Sequence, residues 1–363
     1  MSNRSPIGAL SIAFCLATLF LGTPAAPQSP RPSGVDSNTI RISGGALESG
    51  GLSFVNELAK RIAARQETGP NGELAVRIVP VIGRGGVHDI RELLSDRPSV
   101  DLVLTNEQML HQLETAPDLR NFRSRVVYLA RLFYEELHIV GGPGVTQLSD
   151  LAGLPVNVGE YGSTAESLTR DLLKALDIPV VELHLDQEEA LNKVRDGSVA
   201  AAAVLADKRV GALTRLPQGS GLHLVPIPYP ANGGNGYFPG TLTAEDYPNL
   251  VPAGDRIPIV MARTVLVARN WPQGTRAYRQ LQAFADLFFP SLLELRQPAW
   301  TEAGFVEPLP GWTRFGPAER WIQRWQAQDK TGATSAGSGA PTISERQRLF
   351  EEFLQQKQRK ARP

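Results

Sequence analysis

The sequence predicts an α/β protein: two lobes built on mostly parallel sheets, with helices on both sheet faces. Three observations carry that expectation. Apolar, β-branched runs alternate with segments of helical periodicity along most of the chain, as in βαβ units. The 363 residues exceed one ordinary domain, and 42% hydrophobic side chains supply a sizeable core. Three strand-to-helix loops, at residues 44–51, 105–108 and 159–164, are polar or Gly-rich, and the ligands of open sheets collect at such carboxyl-end loops.

The chain opens with "MSNRSPIGALSIAFCLATLFLGTPAAPQSP". Arg4 precedes an apolar run over residues 7–21, and the small residues Thr23, Ala25 and Ala26 follow, which is the order of a secretory signal peptide. Cleavage is expected after Ala25, because Pro27 disfavours a cut after Ala26. An uncleaved anchor is the alternative, although the run falls short of the roughly 20 residues a spanning helix needs. Cys15, the single cysteine, lies inside this run, and Phe14 before it fits a lipid-anchor site poorly. A cleaved chain therefore has no disulfide, thiol nucleophile or cysteine metal ligand, and the periplasm is its expected compartment. The 37 basic residues balance 37 acidic ones, so charge gives no reason to expect nucleic acid or an anionic membrane as partner.

After a Pro/Ser-rich linker, "NTIRISGGALESGGLSFVNELAKRIAARQE" reads as strand, Gly-rich loop and helix. "ELAVRIVPVIG" is a second strand, followed by the short helix "VHDIRELLS". "VDLVLTNEQMLHQLE" repeats the theme, with Thr105, Asn106 and Glu107 at the junction. "RVVYLARLFYEELHIVGG" is β-like, with Glu135 and Glu136 interrupting it. "EEALNKVRDGSVAAAAVLA" gives a helix, an Asp-Gly turn and a strand whose alanines permit close approach of a helix or of a ligand. Residues 226–256 are too rich in Pro, Gly and Asn for helix. "IPIVMARTVLVARN" is a further strand, and "GTRAYRQLQAFADLFFPSLLELR" a long helix that Pro290 should kink or break. The Trp-rich stretch after it reads as a cap over the core. Residues 328–341 read as a flexible linker, and "ISERQRLFEEFLQQKQRKA" as a short amphipathic helix able to dock on the body or on a partner.

Val156 and Val158 begin a strand-turn-helix unit, "VNVGEYGSTAESLTRDLLKALDI". Two readings share its geometry. Ser163 and Glu166 have capping-box spacing, and the same helix start presents free N–H groups to an anionic ligand. Catalytic patterns are not found. His88, His111, His138, His184 and His223 are scattered and match no paired-ligand motif, and there is no G-x-S-x-G elbow or P-loop. No catalytic residue, metal or cofactor is expected.

In order and spacing, "LSDLAGLPVNVGEYGSTAESLTRDLLKALDI", "VDLVLTNEQMLHQL", "LARLFYEELHIVGG" and "GYFPGTLTAEDYPNLVPAGDRIPIVMARTVLVARNWP" resemble the TAXI family of extracytoplasmic solute-binding subunits of TRAP transporters. The resemblance implies a type II periplasmic-binding-protein fold, with a ligand cleft between two hinged lobes. It divides the chain into a signal peptide (1–25), a linker (26–37), lobe 1 (38–134), lobe 2 (135–226), the rest of lobe 1 with a hinge-crossing segment (227–327), a flexible linker (328–341) and a terminal helix (342–363). It implies a small polar ligand of carboxylate or amino-acid class, and a TRAP-type permease as partner; a sensor or envelope-assembly role on the same fold is the alternative. The residues expected to line the cleft are Gly45, Glu48, Ser49, Asn106, Glu107, Tyr161, Gly162, Ser163, Thr164, Ala206 and Thr241. The first loop departs from the family, with Glu48, Ser49 and Gly51 where hydroxyl, Gly and Tyr types are usual. Glu48 and Glu160 facing the cleft would repel a second carboxylate or favour an amino group, and Tyr161 would replace the lost aromatic contact.

Overall fold

The alternation of strand and helix holds along the chain. The computed structural model describes residues 38–46, 49–66, 75–207, 211–229, 236–295 and 304–335, with side chains to residue 328. The first wing comprises β1 (Thr39–Ser43), α1 (Gly50–Ala64), β2 (Arg77–Val81), α2 (Gly86–Leu93), β3 (Leu102–Asn106) and α3 (Glu107–Glu114). A single turn, α4 (Phe122–Arg125), leads into the long β4 (Val126–Gly141). The second wing comprises β5 (Pro155–Asn157), α5 (Thr164–Ala175), β6 (Val181–Leu183), α6 (Gln187–Arg195) and β7 (Ala201–Ala206). After α7 (Gly211–Thr214), β8 (His223–Leu224) and β9 (Tyr237–Leu242), the chain returns through β10 (Ile257–Arg269) to α8 (Arg276–Leu292) and α9 (Gly316–Ser335).

The strands form one sheet in the order β2-β1-β3-β10-β4-β7-β5-β6, with β9 beside β10 and β8 beside β4. Each wing is parallel, as βαβ connections require. The centre is antiparallel: β10 pairs with β3 and β4, and β4 with β7. Three antiparallel steps from β3 to β7 turn the two wings head to head. Asn106, ending β3, lies opposite Thr264, and Ala206, ending β7, lies opposite Glu136. The carboxyl edges of both wings therefore face each other across the middle of β4 and β10.

Each lobe packs helices on both faces of its part of the sheet. In lobe 1, Phe54 and Leu58 of α1 and Phe284, Phe288 and Phe289 of α8 cover Leu104, Phe133 and Leu266, while Ile90, Met109 and Trp312 cover Val103 and Val265. Trp321 of α9 stacks on Phe289 with ring centroids 4.7 Å apart, so the Trp-rich stretch serves as a cap over the core. In lobe 2, the alanines of β7 alternate between two helices: Ala201 and Ala203 meet Leu168 and Leu172 of α5, and Ala202 meets Leu191 and Val194 of α6. Short side chains let both helices close tightly on one strand.

Four expectations change. β4 is one uninterrupted, wholly buried strand, because β10 and β7 pair with its backbone through Glu136 and β10 continues through Glu135. The start of the 227–327 segment belongs to lobe 2: Leu242, Tyr247, Leu250 and Val251 bury themselves against Leu191 and Val204. Pro290 sits inside α8 without ending it, since only the final turn lies beyond it. Helix α9 continues through Ser335, into the stretch read as linker. The signal peptide at 1–25, the linker at 26–37, Glu48 and the terminal helix at 342–363 lie outside the described residues.

His138 anchors the second lobe from within. Fully buried on β4, its Nδ1 lies 3.2 Å from the Val204 carbonyl and its Nε2 3.0 Å from the Tyr247 hydroxyl. Burial pushes its pKa down to about 4. As pH falls from 6.5 to about 4, the unfolded chain takes up a proton that the folded ring refuses, so this group's contribution to stability is lost in that window. Ring NMR titration should place the His138 midpoint near pH 4, and a midpoint near 6.5 would contradict the buried neutral ring. Tyr247→Phe, which leaves Nε2 without its donor, should cost about 1–3 kcal/mol in urea unfolding at pH 7.

Candidate functional site

Where the two carboxyl edges meet, one row of side chains crosses four strands on a single sheet face. Tyr237 of β9 lies opposite Ala262 of β10, and Ala262 lies opposite Glu135 of β4. One step beyond the Glu136–Ala206 pair, Asp207 takes the place opposite Glu135. Paired residues of antiparallel strands share a face, so Tyr237, Ala262, Glu135 and Asp207 project together. Asn106 and Thr264 form the next row on the same face.

The start of α1 roofs this floor. Its first turn begins Gly50-Gly51 behind the N-cap Ser49, whose Oγ accepts from the Leu52 N–H at 3.1 Å. A Cβ at Gly51 would lie 2.4 Å from the Gly44 carbonyl oxygen, and one at Gly50 would lie 2.6 Å from the carboxyl carbon of Asp207. The glycines thus bring the helix start down onto β1 on one side and onto an acid of the other lobe on the other. Burial pushes the Asp207 carboxyl above its ordinary range. Burial, with Asp207 as a like-charged neighbour, pushes Glu135 up to about 7. Among the described residues, no hydrogen bond or ion pair engages the Glu135 carboxylate.

Other polar atoms at this junction also lack partners. Asn106 is fully buried; its Oδ1 caps α3 by accepting from the Met109 N–H at 2.8 Å, while its Nδ2 has none. Thr105 Oγ1 and Gln108 Oε1 are likewise buried and unmatched. An unmatched buried polar group costs about 1–3 kcal/mol.

A seam closes the cleft further out. The Gly86 N–H donates to Thr164 Oγ1 at 2.8 Å. Gln108 Nε2 donates to Asp171 at 3.3 Å, Gln112 Nε2 donates to the same carboxylate, and Ser167 Oγ donates to Gln112. Tyr237 completes it, its hydroxyl donating to the Leu168 carbonyl at 2.6 Å. The turn at 159–164 forms the capping box: Ser163 Oγ accepts from the Glu166 N–H at 3.1 Å, and the Glu166 carboxylate accepts from the Gly162 N–H. Arg170 holds that carboxylate from the far side at 2.8 Å.

The residues expected to line the cleft are dispersed by this geometry. Ser49 and Asn106 are N-caps at the junction, and Gly45 (φ +86°) shapes the loop before Ser49. Gly162, Ser163 and Thr164 form the outer seam. Glu107 turns away to Arg131, 2.5 Å from its Nε, in a network where Glu307 accepts from Arg131 at 2.7 Å and from Arg263 at 2.8 Å. Tyr161 is 76% exposed, edge-on to His184. Ala206 faces the lobe 2 core, and Thr241 lies opposite Pro258, away from the junction. Glu135 and Asp207 were not among the expected residues. The signal was an acidic pair inside an otherwise apolar strand.

Comparison with known proteins finds likenesses to one family model and to solved structures. Residues 111–232, about a third of the chain, match the model of the NMT1-like family. No curated protein matches. Among solved structures, the alkanesulfonate-binding protein SsuA from Xanthomonas axonopodis pv. citri bound to MOPS aligns over 82% of this chain and 92% of its own, at 17% identity and a TM-score of 0.43. Holo ArgBP from T. maritima aligns over 72% and 92%, at 13% identity and a TM-score of 0.40. A structure described as a periplasmic transporter aligns over 81% and 95%, at 12% identity and a TM-score of 0.44.

Two predictions follow from the junction and its seam. Between pH 4.5 and about 7, the unfolded chain has released the Glu135 proton that the folded protein keeps, so this group's contribution to stability falls as pH rises. Glu135→Gln is neutral throughout; it should match the wild type near pH 4 and exceed it by about 1–3 kcal/mol at pH 8, as urea unfolding at both pH values will show. Gly86 has φ +55°, and a Cβ there would lie 2.8 Å from the Gly162 carbonyl oxygen and 2.9 Å from the Thr164 nitrogen. Gly86→Ala should therefore part the seam and enlarge the radius of gyration in small-angle scattering; an unchanged profile would mean that the seam yields elsewhere.

Proposed function

We propose that this protein is a periplasmic solute-binding protein that encloses a small polar organic ligand between its lobes. The observation that carries this reading is the pair of buried, unmatched polar atoms where the two carboxyl edges meet, Asn106 Nδ2 and Gln108 Oε1, on the same junction as the buried Glu135. Protein interiors rarely leave such groups without partners, and a ligand at a topological switch point would supply them. Among the described residues, β4 and β10 run from one lobe into the other at the centre, which gives a hinge for closure around a solute. The ordered motifs that resemble the TAXI family support a ligand of carboxylate or amino-acid class and delivery to a TRAP-type permease. The signal-like leader supports export.

A ligand-binding sensor or envelope-assembly module on the same fold is the second reading. The seam favours it, because the chain's own groups hydrogen-bond directly from one lobe to the other.

The test is to purify the exported protein, extract it with organic solvent, identify released small molecules by mass spectrometry and titrate them back by calorimetry. A ligand that binds one-to-one and compacts the protein in scattering supports the reading; an exported protein that neither carries nor binds a solute would overturn it. The same titration assigns the 159–164 turn. Ser163→Ala should cost about 1 kcal/mol of stability through the lost cap in any case. If the turn is a wall of the site, affinity should also fall by about 0.5–1.5 kcal/mol, whereas unchanged affinity leaves it a helix cap alone.

A further inference from the structure

Resting on the solute-binding reading, we propose that the ligand carries a protonated nitrogen, an ammonium or guanidinium group, seated over Ala262 and held by the carboxylates of Glu135 and Asp207. Glu135 is only 9% exposed and belongs to neither lobe's core. Three other acids of the chain are met by its own cations, and the buried Asp89 and Asp246 are held by hydroxyl and backbone N–H donors. Asp101 takes Arg41 at 3.0 Å, Glu107 takes Arg131 at 2.5 Å, and Glu166 takes Arg170 at 2.8 Å. At Glu135, among the described residues, the neighbour across the strand is a second acid. Two adjacent carboxylates in a poorly solvated site oppose each other's ionisation, and a cation placed between them relieves both.

The row is also shaped for such a group. Ala262 ends at its Cβ between Glu135 and Tyr237, and both Ala262 and Tyr237 are buried beside Leu137 and Leu168 of lobe 2's core. A cation there meets carboxylate on one flank and a ring on the other. Among the described residues, the first turn of α1 over this row carries no charge, because it begins with two glycines. Asn106 supplies the second anchor: its Nδ2 is a fully buried donor without a partner, on the same face. It stands two strands and one row from Glu135, roughly 12 Å at ordinary sheet spacings. A ligand with an amine at one end and an acceptor oxygen at the other spans that distance.

The experiment uses the exported full chain, dialysed, in a thermal-shift screen followed by calorimetry. One half of the panel holds L-lysine, L-arginine and putrescine; the other holds succinate, glutarate and 2-oxoglutarate. Binding by members of the first half, weakened at least tenfold in both Glu135→Gln and Asp207→Asn, supports the proposal. Both substitutions keep side-chain shape, and a cooperative melt confirms that each variant is folded. Binding confined to the carboxylate half, or amine binding unchanged in both variants, overturns the proposal and leaves the solute-binding reading standing. No binding from either half, together with no solute recovered on extraction, overturns both.

Discussion

The antiparallel pairing of β4 with β10 is the constraint on which the rest of the molecule depends. Both strands are long enough to run from one lobe into the other, and each lobe hangs its parallel wing on them. Because β3 joins β10 and β7 joins β4, both antiparallel, the wings point head to head. A parallel step at either junction would have sent the two carboxyl edges to opposite ends of the sheet, and no common floor could form. Beneath the crossing, Arg131 and Arg263 share the Glu307 carboxylate, and the Arg263 guanidinium lies 4.9 Å over the Tyr134 ring. That network ties the late segment around Glu307 to the strands that bridge the lobes, so the bridge is reinforced by ion pairs that are themselves paired and hydrogen-bonded.

The crossing separates two uses of buried charge. On one face, the Glu107 and Glu307 carboxylates meet Arg131 and Arg263. On the other, Glu135 and Asp207 face each other under a glycine-rich helix start, and both are held toward the neutral form by burial. A carboxylate pair of this kind stores unfavourable electrostatics that a cation would release. The seam outside it has a different character. It is made of neutral hydrogen bonds and one shared carboxylate, Asp171, each replaceable by water when the lobes part. The floor carries the chemistry and the rim carries the closure.

Local signals in the sequence determined much of this protein. The strand and helix alternation, the caps at Ser49, Asn106 and Ser163, and the packing of helices on the alanine strand follow from side-chain size, periodicity and hydrogen-bonding capacity within a few residues. The direction in which each wing presents its loops follows as well, because βαβ units place their helix starts at carboxyl edges. What only the tertiary structure decided is which loops share a site. Glu107 and Asn106 are neighbours in sequence, yet one pairs with Arg131 and the other lies on the face of the unpaired acids, because Asn106 ends β3 while Glu107 opens α3. Glu135 read as an interruption since its merit lies in a partner, Asp207, some 70 residues away and aligned only by strand register. Register across a sheet is a long-range property, fixed by how two cores pack against shared strands, and no local pattern encodes it.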